Sequence, residues 1–364
     1  MNYTYLHYQI ALTLLFGIGP NKARKLLDLV DDCSDIFTLN LAELRRKTGF
    51  TSTLLNLMKR EEALHTSLSI ATFLDQHKIR TIFYSDVDYP MRLNQCSDAP
   101  LLLYQKGEPS LDFERWVAVV GTRDATPYGK AICEELVRSF AGKNIVVVSG
   151  LALGIDAYVH RYCLEYKVPT IAVLGHGLDR IYPFHHRELA KRILHQGSLL
   201  TEFPPNTLPN RENFPKRNRI VAGLCDATIV IESNAKGGSL ITADIANGYS
   251  RDVFAYPGNV FHPTSSGCNA LIRSNQAHLV ESGAHFLELM DWKTEKPTAL
   301  SPMIHAKLSP VQTEITQAIG ASNIHIDELA AKTRLNLSTL NIELFDLLLC
   351  GVLNELPGKR FTLA

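Results

Sequence analysis

The sequence predicts an α/β protein built on a Rossmann-like, doubly wound, mostly parallel sheet. An N-terminal helical domain of helix-hairpin-helix (SAM-like) type precedes it and a winged helix follows. Three observations predict this arrangement. Continuous apolar runs at Trp116–Val120, Ile145–Ser149, Thr170–Leu174, Thr228–Glu232 and Val253–Tyr256 suit parallel strands buried on both faces. Helical stretches such as Pro127–Phe140 and Ile155–Tyr166 separate most of these runs, the alternation of a doubly wound sheet. The pattern is helical before about residue 78 and again after 307, where it ends in a two-strand pattern around Pro357-Gly358. The predicted divisions are 1–78, helical; 79–292, the sheet domain; 293–306, a linker; and 307–364, the winged helix.

In the first segment, Leu12, Leu15, Ile18, Ala23, Leu26, Leu27 and Val30 recur at helical spacing around Gly17-Ile18-Gly19-Pro20. Two short helices joined by such a turn resemble a helix-hairpin-helix that directs backbone N–H groups at a DNA phosphate. Glycine permits the tight turn and a helix N-terminus attracts anions; Lys22, Arg24 and Lys25 follow directly. The turn serves equally well in a helix pair that only packs, and Asp28, Asp31 and Asp32 lie just beyond. At the other end, Lys293–Thr298 and Ser301-Pro302 read as a linker. Helices near Pro310–Ile319, Ile326–Thr333 and Ser338–Leu349, then the hairpin, give the winged-helix layout. Its recognition helix carries Glu343 and Asp346 but no lysine or arginine; Lys359 and Arg360 on the wing are its positive groups. Such a helix lacks the usual phosphate-contacting groups, so the module is expected to contact protein, or DNA only weakly.

The bulk properties narrow the class. The 364 residues suffice for two or three domains. No apolar run approaches the ~20 residues of a membrane span, and the early run Ile10–Ile18 lacks a basic flank, so neither a membrane nor a secretory destination is expected. Seven scattered cysteines without a CxxC pair read as reduced thiols of a cytoplasmic protein. The formal net charge is zero, so any affinity for nucleic acid must come from a local basic patch.

Glycines at strand ends mark where that patch would lie. Gly121-Thr122-Arg123, Gly150 through Gly154 to Asp156, and Gly175 through Gly177 to Asp179 each follow a predicted strand. Ligands of open α/β sheets bind at the carboxyl ends of the strands. There glycine lets a phosphate approach the backbone, and the following helix N-terminus supplies partial positive charge. Thr126 and Pro127 suit N-cap and N1 of the next helix, which sets Arg123 beside an anion site; a tight turn with a solvated arginine has the same sequence. The spacing does not match GxGxxG and no GxxxxGK[ST] occurs, so neither a dinucleotide cofactor nor a P-loop is supported, and no cofactor is expected.

The strongest element is Asn213-Phe214-Pro215-Lys216-Arg217-Asn218-Arg219, ahead of apolar Ile220-Val221-Ala222. Basic side chains clasp phosphates and Phe214 offers a face for a base, while arginine also suits buried ion pairs, so one of these cations has a structural alternative. Gly237-Gly238-Ser239 after the next strand supplies a second phosphate cradle.

Taken in order, VAVVGTR, SGLALGIDAYVH, AVLGHGLDRIYP, FPKRNRIVAGL, GGSLITA, YPGNV and SSGCNALI resemble the DNA-processing protein A (DprA, or Smf) family. The likeness covers the chain and is most specific over roughly 116–273. It implies a non-enzymatic, dimeric protein that binds and protects incoming single-stranded DNA and loads the RecA recombinase onto it in natural transformation and homologous recombination. By position, the resemblance assigns DNA contact to Gly121, Thr122 and Arg123, to Lys216, Arg217, Asn218 and Arg219, and to Gly238 and Ser239. Phe214 and Arg187 join them as a base platform and a further phosphate contact. His186 stands where the YPxxN pattern has asparagine, and Gly237 where a serine is usual.

Two other functions compete with this one. A nucleotide-handling enzyme of the phosphoribohydrolase type needs a carboxylate beside a glycine-rich loop; Glu202 and Glu232 are the nearest strand-end acids, and neither lies in PGGxGTxxE. A duplex-DNA regulator would act through the winged helix, whose recognition helix carries no lysine or arginine. Asp156 with His160, and His176 with His185 and His186, are too few ligands at recognised spacings for a metal, and no GxSxG nucleophile motif occurs.

Overall fold

The structure, a computed structural model, describes residues 3–107, 113–292, 308–320, 324–350, 352–356 and 358–363. The linker expected at 293–306 lies outside these. The chain divides into two compact units, Met1–Lys293 and Thr294–Ala364.

The first unit is a nine-stranded sheet with helices on both faces. Its strands are β1 (Arg80–Phe83), β2 (Leu102–Gly107), β3 (Arg115–Val120), β4 (Ile145–Ser149), β5 (Thr170–Val173), β6 (Gly197–Thr201), β7 (Ala227–Val230), β8 (Asp252–Ala255) and β9 (His278–Leu279). They lie in the order β1-β2-β6-β5-β4-β3-β7-β8-β9. From β6 to β9 every pairing is parallel, while β1 and β2 add an antiparallel edge. The five continuous runs became β3, β4, β5, β7 and β8. β1, β2, β6 and β9 lie outside those five runs: β1 and β9 are short, β6 opens with Gly-Ser, and the apolar stretch Leu101–Tyr104 that enters β2 ends in polar Gln105-Lys106.

Side chains alternate between two buried faces along β3. Trp116, Ala118 and Val120 pack with Ile220 and Leu224 of the helix Asn213–Leu224, on one face. Val117 and Val119 pack with Ile132 and Phe140 of the helix Pro127–Phe140, on the other. Each such side chain stabilises the fold by about 1.5–3 kcal/mol, so register is fixed at the centre of the sheet.

The N-terminal helices form a layer against the antiparallel edge: Leu12, Leu26 and Leu74 share one core with Phe83, Leu102 and Tyr104. The predicted boundary at 78/79 therefore separates kinds of element within one compact unit. At the GIGP turn, Gly17 has φ +74° and Pro20 begins the helix Pro20–Leu29 after N-cap Gly19. The Lys22 ammonium turns back to donate to the Gly17 carbonyl (3.2 Å).

The second unit has helices Pro310–Ile319, Ile326–Thr333 and Leu337–Leu349, then β11 (Leu353–Leu356) and β12 (Arg360–Leu363), with β10 (Ile324–His325) completing a three-stranded sheet. Ser309 and Gln312 form a reciprocal capping box. Ile315, Leu329, Leu340, Leu344 and Phe361 make its core, while Leu337, Ile342 and Phe345 of the last helix are exposed. This is a winged helix.

Candidate nucleic-acid interface

The chain runs β3 to β6 in one direction across the sheet, then returns to place β7 on the other side of β3. The strand order thus reverses between β3 and β7, and at such a switch point the loops diverge and leave a crevice at the carboxyl edge. A cleft of about 740 Å³ opens there, lined by the loops after β3, β4 and β7 and by the start of the helix Asn213–Leu224.

One carboxylate organises its floor. Glu232, buried just beyond β7, accepts from the Thr126 N–H (2.9 Å) and hydroxyl (2.7 Å) and from the Thr264 hydroxyl (3.1 Å). Its carbonyl accepts from the Thr122 N–H (2.7 Å). Thr126 in turn caps the helix Pro127–Phe140 through the Gly129 N–H (3.3 Å). The loop after β3 is thereby held in one shape. Gly154, at φ +74°, packs so closely under it that a Cβ would strike the carbonyl oxygens of Thr122 and Arg123. Arg123 is exposed, its guanidinium carbon 5.8 Å from the centre of the Phe214 ring, within reach of a cation–π contact. The Tyr182 ring centre lies 6.0 Å from that of Phe214.

The basic motif falls on a helix, where successive side chains point about 100° apart, so its cations separate. Phe214, Asn218 and Val221 face the cleft. Arg217 is only 6% exposed: it donates to the Val173 carbonyl (2.8 Å) and lies over Gly150, where a Cβ would collide with its guanidinium. Beneath it, the Asp156 carboxylate accepts from the N–H groups of Gly150 (3.1 Å) and Ala152 (3.2 Å). Burial pushes Asp156 up, opposed by Arg217, and burial lowers Arg217 in turn. Arg217 is a brace for the ends of β4 and β5 that also forms part of the cleft wall. Arg219 lies on the opposite flank, bound to Glu202 and to the Asp98 carbonyl. There, with exposed Lys216, it lines a second cavity of about 910 Å³ against the GIGP turn.

At the other rim, Gly237 is N-cap and Gly238 the first residue of the helix Gly238–Gly248. Gly238 is exposed with open space around it. The first N–H groups of a helix have no intrahelical acceptor, so this end presents an anion site. The buried Ser239 hydroxyl donates to Ser233 Oγ (2.9 Å); its side chain shapes the loop. Of the sequence candidates, Gly121, Thr122, Arg123, Phe214, Arg217, Asn218, Gly238 and Ser239 come together in the cleft. Lys216, Arg219 and Arg187 do not line it. Arg187 is exposed at the start of the helix Arg187–Ile193, over the Phe184 ring (5.1 Å).

Sequence reasoning missed Arg211, Lys236 and Tyr182, which line the cleft and are exposed. Arg211 and Lys236 are isolated residues flanking motifs (Arg211 two before Asn213, Lys236 directly before Gly237), so adjacency was the available signal; Tyr182 lies within AVLGHGLDRIYP itself. The histidines are occupied. His160 is buried, its Nδ1–H donating to Thr170 Oγ1 (2.8 Å), and burial lowers it to about 3. Buried His176 donates from Nδ1 to the Gly177 carbonyl (2.9 Å) and accepts from the Tyr182 N–H at Nε2 (3.2 Å), the neutral tautomer, in keeping with a pKa lowered by burial. His186 donates to the Leu151 carbonyl (2.8 Å). Among the described residues no group of three potential ligands could hold a metal ion.

The family model for DNA recombination-mediator protein A matches residues 80–291, and the model of the DprA winged helix domain matches 299–359. The chain is 34% identical to the Smf protein of Escherichia coli over 74% of each chain, and 29% identical to that of Synechocystis over 97% of this chain and 98% of the relative. Among solved structures, DNA processing protein A from Streptococcus pneumoniae matches with a TM-score of 0.67 at 34% identity, covering 79% of this chain and 98% of that one. DNA processing protein A from Helicobacter pylori, studied for its single-stranded DNA binding mode, matches at 0.53 and 29% identity, covering 58% and 95%. A domain model spanning more than half the chain, the second model over the winged helix and the E. coli relative agree: this chain belongs to the DNA recombination-mediator protein A (DprA/Smf) family.

Proposed function

We propose that the cleft at the β3/β7 switch point binds single-stranded DNA without catalysis. The strand's phosphates lie against Arg123, Arg211, Lys236 and the backbone of Gly121 and Gly238, and a base lies on Phe214. The observation that carries this reading is the convergence of exposed cations, an open helix N-terminus and an aromatic face in one cleft. Contacts of this kind follow the backbone and a π-face, so they tolerate any sequence. The single-strand binding ascribed to the H. pylori relative supports the same reading.

The enzymatic alternative loses its acids. Glu232 is consumed by Thr126 and Thr264, and Glu202 is paired with Arg219 on the far flank. In the cell, the protein acts in the cytoplasm as a homodimer that shields incoming strands and delivers them to the RecA recombinase during natural transformation and homologous recombination. No helix among the described residues is long and apolar enough to cross a membrane.

The test is fluorescence anisotropy of a labelled single strand with duplex competitor across a salt series. Single-strand preference is expected, with log K falling about 0.7 per phosphate neutralised, or a slope near −2 for the three exposed cations. Absent binding, or preference for duplex, refutes the reading.

A further inference from the structure

The carboxyl edge does not end at the cleft. Neighbouring β7 is β8, and the chain leaves it at Tyr256 into a loop anchored at both ends. The Tyr128 hydroxyl donates to the Pro257 carbonyl, and the Asn269 amide bridges both backbone groups of Gly258 (3.1 and 2.9 Å). At the far end Thr264 donates to Glu232, and its carbonyl accepts from the Ser233 N–H (2.7 Å). Between these anchors Asn259 folds the tip, its side-chain oxygen accepting from the Phe261 N–H (2.9 Å) and its carbonyl from the His262 N–H (3.0 Å).

This turn projects two apolar side chains into solvent, Val260 at 76% exposure and Phe261 at 92%. Neither contributes burial to the fold. A phenyl ring held out on a turn whose backbone is tied down is a preset contact surface, at little cost in ordering. Its place in the strand order indicates for what. Along the carboxyl edge, Tyr182 and Phe184 follow β5, where the Phe214 ring lies over Gly175, Arg123 follows β3, Lys236 follows β7, and Phe261 follows β8. From β5 to β8 is four strand spacings, about 19 Å, along which aromatic faces flank the cations. That is the composition of a single-strand track. The tip's other titratable group is His262, paired with Thr264 Oγ1 (2.8 Å); no carboxylate stands at 257–264 to repel a phosphate.

We propose that Phe261, supported by Val260, is a base-stacking platform that carries the single-strand track beyond the phosphate cradle on the β8 side. This rests on the single-strand reading of the cleft, and the test separates the two. In the full chain, Phe261→Ala is compared with wild type and with Arg123→Glu, by anisotropy, on oligothymidylates of about 4 and about 16 nucleotides, the range of single-strand sites. Expected is about tenfold weaker binding of the longer strand by Phe261→Ala, the loss of one stacked base, with the shorter strand bound as before. Phe261→Trp restores affinity, and its emission, measured against the background of Trp116 and Trp292, is quenched when the long strand binds. If Phe261→Ala binds both lengths like wild type while Arg123→Glu has lost binding, the platform is refuted and the cleft reading stands. Wild-type binding by both variants refutes both. A Phe261→Ala protein that keeps nucleic-acid affinity but loses self-association or recombinase contact also overturns the proposal and makes the tip a protein contact.

Discussion

Replacing Arg217 by alanine separates a brace from a ligand within one basic motif. The side chain is buried, donates to the Val173 carbonyl at 2.8 Å and offsets the buried charge of Asp156. Loss of a hydrogen bond from a charged donor costs about 1.5–3 kcal/mol, and an acid left without its neutralising neighbour adds to this. A total near 3 kcal/mol is expected, which at about 2–4 °C per kcal/mol lowers the Tm by roughly 6–12 °C. Arg123→Glu, at an exposed position, should change stability by less than about 0.5 kcal/mol. It should weaken strand binding at least about tenfold and flatten the salt dependence by at least one phosphate. Thermal unfolding and anisotropy on the two variants decide the matter. An Arg217→Ala chain that melts like wild type yet loses affinity would show that its guanidinium reaches the DNA and that the brace is wrong.

Three further outcomes are expected. Gly154→Ala forces a Cβ into the carbonyls of Thr122 and Arg123 at φ +74°, so the loop after β3 must move; a cost of about 1–3 kcal/mol and loss of strand binding should appear together in unfolding and anisotropy assays. Arg219→Ala leaves the partly buried Glu202 without its partner; it should destabilise by about 1.5–3 kcal/mol while strand affinity stays within about twofold. His160, neutral and buried with its pKa near 3, binds no proton in the fold over the range where the unfolded chain, near 6.5, does. Its contribution is therefore complete above about pH 6.5 and is lost as pH falls towards 3, by up to about 1.4 kcal/mol per unit. Denaturant titrations from pH 7 to 4 should lose that slope in His160→Gln.

The centre of the fold was legible because parallel strands buried on both faces must be apolar without interruption, and β3, β4, β5, β7 and β8 are. The antiparallel side was not: β1 opens with Arg80-Thr81 and β6 with Gly-Ser, so neither gives an uninterrupted apolar run. Of the glycine-marked strand ends, those after β3, β4 and β7 line the candidate cleft, while the Gly175–Gly177 loop after β5 does not. A run of cations in sequence is not thereby one patch in space. Lys216, Arg217 and Arg219 belong to three directions of one helix, and which of them meets solvent is decided by Glu202, Asp98 and the β5 carbonyl, tens of residues away. Arg211 and Lys236 escaped notice for the converse reason: the fold assembles them from separate loops.

The bonds that converge on Glu232 have a kinetic consequence. The loops after β3, β7 and β8 share that carboxylate or its backbone, so the cradle need not close around its ligand. For the proposed single-strand ligand, association should then carry little ordering penalty on the protein's side, and encounters should convert to bound strand without a slow rearrangement of the loops. With a net charge of zero, long-range attraction adds little to the encounter rate. Capture should proceed at an ordinary bimolecular rate, first order in strand concentration with no saturating phase, and differences in affinity between strands should reside in how fast they leave.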